Sequence, residues 1–135
     1  MVEIKKYIIP TLFILLGCAI YLTYRQDSLF VSILPKSLLN LISIPNIDKD
    51  NDLCNFLLYS LPDGLWYASL ILIQYSLYSD NILYLIVLHI SYALPFVLEF
   101  LQFFQIINGT FCIVDLSTYL LTFIILKLWK RKMVL

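Results

Sequence analysis

The chain has 135 residues, nine Lys plus Arg, nine Asp plus Glu, and a formal net charge of zero. Hydrophobic residues make up 61% and charged residues 13%, against about 45–50% and about 25% in soluble domains. This balance excludes a small water-soluble globule and any basic footprint for nucleic acid, and it predicts a single all-α membrane domain over 1–135.

The first apolar run, 7–24, carries no charge. It is too long for a signal-peptide core, and Tyr21-Leu-Thr-Tyr-Arg25 follows it in place of a small-x-small cleavage site, so it reads as a retained span. The loop 25–54 comes next. Within it Lys36, Asn40 and Ser43 recur at helical spacing opposite Leu38, Leu39, Leu41 and Ile42. A short interfacial helix at about 36–44 fits this pattern; a re-entrant segment is the rival reading. The remaining spans fall at about 61–78, 82–104 and 112–129, each near the roughly 20 residues a bilayer requires. The fold class is therefore four transmembrane helices with a short interfacial helix between the first and second. Tyr24, Trp66, Tyr67, Tyr78 and Trp129 fall near predicted span ends, as interfacial aromatics do.

Lys5, Lys6, Lys127, Lys130, Arg131 and Lys132 hold six of the nine basic residues, and with four spans they share one side. The positive-inside rule makes both termini cytoplasmic and turns the 25–54 and 105–111 loops outward.

Polar residues inside these runs are costly and mark either a site or a polar network. Asp63 follows Pro62 at the predicted start of the second span, where a capping role at the positive end of the helix dipole is the plain account. In the third span Tyr92 and Glu99, seven residues apart, project within about 20° of one another, and Gln102 follows on nearly the same face. Pro95 removes one backbone bond and predicts a kink. In the fourth, Asp115, Thr118, Tyr119 and Thr122 form a polar stripe. Such a stripe faces the protein interior, as part of a site or as interhelical glue. Arg25 ends the first span at the same depth and is the nearest counter-ion to Asp63, Glu99 and Asp115. One Arg against these acids leaves an excess of negative charge for a proton, a metal or a cationic group to balance. The candidate cluster is thus Arg25, Asp63, Tyr92, Glu99, Gln102, Asp115 and Thr118. His89, deeper in its helix, reads as a bonded core residue ahead of a ligand.

Glu99-Phe-Leu-Gln102, a short turn and Asp115 opening the last helix resemble the VanZ-like family of small bacterial membrane proteins over roughly 82–129. Thr118 and Tyr119 stand where that family has an Asn. The resemblance implies a cell-envelope protein linked to glycopeptide tolerance; it supplies no chemistry. No Gly-rich phosphate loop, catalytic triad order or His/Cys metal spacing is present, so the sequence calls for no cofactor and no metal. Cys54 and Cys112 both fall on or near the outward side, which leaves a disulfide open. Three functions remain: an envelope protein whose outward cluster binds a polar head group, a lipid-linked or cell-wall intermediate or a glycopeptide; a small ion-coupled carrier; or an accessory subunit whose cluster is glue. A membrane hydrolase ranks behind them.

Overall fold

The computed structural model describes residues 2–24 and 52–134. The expected interfacial helix at 36–44 and Arg25 both lie outside the described residues. All described regular structure is helical: α1 (Val2–Tyr24), α2 (Asp52–Asn55), a π-helical turn (Phe56–Ser60), α3 (Leu61–Ser76), α4 (Ile82–Phe103) and α5 (Ile113–Val134). Three stretches are long and apolar enough to cross a membrane: Lys6–Tyr24, Leu53–Ser76 and Ile82–Phe103. α5 is as long as α4, but Asp115, Lys127, Lys130, Arg131 and Lys132 interrupt its apolar character.

The second span begins earlier than its sequence indicates. The helical backbone runs through Ser60 and Leu61 without leaving the α region, and the Leu61 N–H reaches back to the Phe56 carbonyl, a π-type bond. Asp63 is therefore not a cap. It sits 10 residues inside the Leu53–Ser76 stretch, about 15 Å from its start at about 1.5 Å per residue.

α3 is the central element. Against α1 it pairs Asp63 with Tyr21, Trp66 with Ile14, and Ser69 with Pro10, so the two helices run antiparallel. α4 runs antiparallel to α3, with Tyr84 bonded to Gln74 near one end and Tyr92 and Phe96 beside Tyr67 toward the other. α5 runs parallel to α3, with Gly64 beside Thr118, Tyr67 beside Tyr119 and Lys130 over Tyr75. The start of α1 and the end of α5 consequently share one end of the molecule.

Within lipid there is no hydrophobic gain from pairing helices, so close approach and hydrogen bonds hold them. Gly17 accommodates the Trp66 ring, which stacks on Tyr21 at 4.6 Å between centroids. A Cβ on Gly64 would lie 2.5 Å from the Thr118 methyl. The core is Tyr67, Ala68, Ile71, Leu72, Tyr119 and Leu126, with Ile71 fully buried. α4 begins with Asn81, whose side chain accepts the Leu83 N–H at 3.0 Å, and continues unbroken through Pro95. It closes in a turn in which Gln105 takes φ +57°.

Candidate functional site

Three acids, from α3, α4 and α5, are brought to the end of the molecule opposite both chain termini. Asp63 accepts the Tyr21 hydroxyl at 2.8 Å. Glu99, only 5% exposed, accepts the Cys112 N–H at 3.1 Å through Oε2. The Cys112 carbonyl in turn accepts the Leu116 N–H at 3.2 Å and so opens α5. Glu99 thus satisfies one of the orphan donors at a helix start with a side chain from the preceding helix. Asp115, in the first turn of α5, carries an Oδ1 that is buried and has no hydrogen-bond partner among the described residues. Glu99 is within electrostatic reach of Asp63 and Asp115, and the buried Tyr119 is within reach of all three acids. The carboxylates are nonetheless too dispersed to share one ion: among the described residues no group of three or more His, Cys, Asp or Glu is placed to hold a metal.

Other expected members behave differently. Gln102 lies over Gly109 in the α4–α5 turn, where φ is +149° and a Cβ would fall 2.6 Å from the Gln102 amide. Thr118 donates to its own helix, to the Val114 carbonyl at 2.8 Å, and offers α3 its methyl group, so it is a packing residue and not a polar ligand. Tyr92 does not join Glu99, although the two share a helix face. Its hydroxyl meets Tyr75 at 2.7 Å, and its carbonyl accepts the Tyr67 hydroxyl at 3.3 Å. His89 is exposed and bonded to the Leu85 carbonyl at 2.7 Å, so it is not a core residue. Cys18, Cys54 and Cys112 are all free thiols; Cys54 lines an apolar cleft beside α1, and Cys112 opens α5.

Two features have no counterpart in the sequence reading. The first is Tyr21, one turn before the end of an apolar run, whose hydroxyl reaches Asp63. The second is a polar network toward the other end. There Gln74 donates to Ser91, Ser91 to the Val87 carbonyl at 2.9 Å, and Tyr84 to the Gln74 carbonyl at 2.9 Å, while Gln74 Oε1 is buried with no partner among the described residues. The lysines whose side chains are described, Lys6, Lys127 and Lys130, also belong to that end; Lys130 lies 4.6 Å from the Tyr75 ring centre.

A cleft of about 320 Å³ opens beside Asp63, between α3 and α4. It is lined by Asp63, Trp66, Tyr67 and Leu70 of α3, by Leu94, Pro95 and Leu98 of α4, and by Tyr119 of α5. No protein-family model, curated protein or solved structure matches the chain.

Proposed function

We propose that the chain is a VanZ-like multi-pass protein of the bacterial plasma membrane, whose polar cluster faces outward and binds the polar group of an envelope molecule. In this reading α5 is a fourth span, its lysine-rich end lies in the cytoplasm, and Asp63, Glu99 and Asp115 lie toward the outer surface. The observation that carries it is the Asp115 Oδ1, a buried carboxylate oxygen with no partner among the described residues, beside a second and a third acid. A buried acceptor left unmade costs about 1–3 kcal/mol, more for a charged group, and a ligand that donates to it recovers that cost. Asp63 and Glu99 have donors to hold them in place; Asp115 has acceptor capacity to offer.

A second reading, that the cluster is interhelical glue, draws on the Tyr21–Asp63 and Cys112–Glu99 bonds. Asp115→Asn separates the two, because it keeps shape and one oxygen while removing the charge. In the binding reading the variant unfolds within about 1 °C of wild type in detergent, while tolerance of cells to envelope-directed antibiotics is lost. A fall in melting temperature with unchanged tolerance, at matched expression, establishes the glue reading instead.

A further inference from the structure

The end of the molecule away from the acid cluster carries charge of the other sign. Lys127 and Lys130 lie there on α5, three residues apart, so they leave the helix about 60° apart in projection and about 4.5 Å apart along its axis. Among the described residues no carboxylate pairs with either. Each rests on aromatic rings instead. The Lys127 ammonium lies 5.2 Å from the Phe123 ring centre, and that of Lys130 lies 4.6 Å from the centre of Tyr75 and 5.7 Å from that of Tyr78. The acid whose side chain is described at this end, Asp80, accepts the Tyr78 hydroxyl at 2.5 Å. An aromatic face attracts a cation without cancelling its charge, and a lysine ammonium has three N–H donors to offer.

From Lys127 toward the middle of α5 the surface turns apolar. A groove of about 280 Å³ is lined by Phe123, Ile124, Lys127 and Leu128, and Ile124 and Leu128 are 44% and 53% exposed. Taken as a fourth span, the reading proposed above, α5 carries these lysines at a membrane surface. Trp129 and Tyr78, both exposed at the same end, suit that level, where amphipathic rings collect. A lysine there lays its stem on apolar surface and holds its ammonium among the head groups. Groove and charge together match the two parts of a phospholipid: hydrocarbon against Ile124 and Leu128, and a phosphate on Lys127 with Lys130 about one turn on.

Resting on the proposed span, we infer that this end of α5 is a binding site for an anionic glycerophospholipid, whose phosphate sits on Lys127, with Lys130 as the second charge, and whose acyl chain lies along Phe123, Ile124 and Leu128. Two ammonium groups without a carboxylate select a lipid of net negative charge over a zwitterionic one, because the amine of the latter returns the charge that its phosphate removes. The apolar groove selects a lipid over an acidic peptide, whose charge brings no hydrocarbon chain with it.

The test uses the full chain in vesicles of equimolar phosphatidylglycerol, phosphatidylethanolamine and phosphatidylcholine, followed by mild detergent extraction and native mass spectrometry. A lysine near an anionic lipid surface contributes about fivefold in affinity, so phosphatidylglycerol adducts are expected to exceed each of the others by about tenfold or more. Lys127→Gln and Lys130→Gln each lower that preference by about fivefold and together abolish it, whereas Lys127→Arg keeps it; thermal melts of the same samples check that each variant is folded. On the wild-type protein, a phosphatidylglycerol with a diazirine near the head of its chain labels Ile124 or Leu128 in preference to Leu98, which needs no variant to fold. Equal retention of all three lipids, preference for phosphatidylethanolamine, a preference that survives the folded double variant, or uniform labelling each overturn the inference; retention of an added polyglutamate peptide with no lipid preference assigns this end to an acidic partner instead. Whether α5 spans is read separately, from quenching of Trp129 by lipid brominated near its head group in a Trp66→Phe background. Quenching without a phosphatidylglycerol preference removes the lipid assignment alone, and absence of quenching removes the span reading with it.

Discussion

At the scale of single residues, the molecule depends on where it omits side chains as much as on where it places charge. Gly64 lets α5 approach α3 until the Thr118 methyl occupies the space of a Cβ, at 2.5 Å from where one would sit. Gly64→Ala is therefore expected to destabilise by about 1–3 kcal/mol, as overpacking does. Thr118→Ala added to it recovers most of that loss, because the offending atom is the methyl. Thermal unfolding of the two singles and the double measures the coupling; strict additivity rules out this contact as the cause. The sequence displays Thr118 as one rung of a polar stripe with Asp115, Tyr119 and Thr122, and helical periodicity does place that stripe toward α3. It does not reveal that the hydroxyl returns to Val114 and leaves the methyl as the working surface. Rotamers answer to neighbours, and one sequence does not name them.

At the scale of elements, the long apolar runs are legible and their ends are not. α4 lies within a residue of its expected limits, because Asn81 caps its start, and α1 ends at Tyr24 as expected but begins at Val2, its helix running on through Glu3, Lys5 and Lys6 beyond the apolar run. The second span is displaced because Leu61-Pro62-Asp63 has the appearance of a helix start, although the chain is already helical from Asp52. Proline there causes no break: the π-type bond from Leu61 to Phe56 carries the backbone past it. The extra residue of that turn sets the rotation of everything upstream, including Leu58 and Ser60, which are 6% and 2% exposed. Deleting Tyr59 turns the preceding segment by about 100° about the axis. It is expected to cost about 2 kcal/mol or more, in the range of misplaced buried groups. Tyr59→Ala, at a position 37% exposed, is expected to cost well under half as much. Equal stability of the two variants in a thermal melt shows that the turn is not held by packing.

At the scale of the whole molecule, antiparallel α1–α3 and α3–α4 pairs with parallel α3 and α5 place the two chain ends together and the three acids at the opposite end. The proposed orientation puts that acidic end outside. Asp50→Cys, in a background with Ser at Cys18, Cys54 and Cys112, is then labelled by an impermeant maleimide on intact spheroplasts; labelling only after permeabilisation reverses the orientation. Depth counting along a single sequence groups Asp63, Glu99 and Asp115, and in the structure Glu99 is within electrostatic reach of the other two. It also assigns Tyr92 to their company through a shared helix face, and there it fails: Tyr75, on another helix, takes the Tyr92 hydroxyl. The bond between Glu99 and the Cys112 N–H has a consequence for biosynthesis. Glu99 leaves the ribosome 13 residues ahead of the group that it caps. At about 5–20 residues per second, α4 waits roughly 0.6 to 2.6 seconds with its acid unanswered, and α5 begins with its first amide unmet until it finds that acid. The two helices complete one another's polar groups, so the translocon is expected to release them into lipid as a pair.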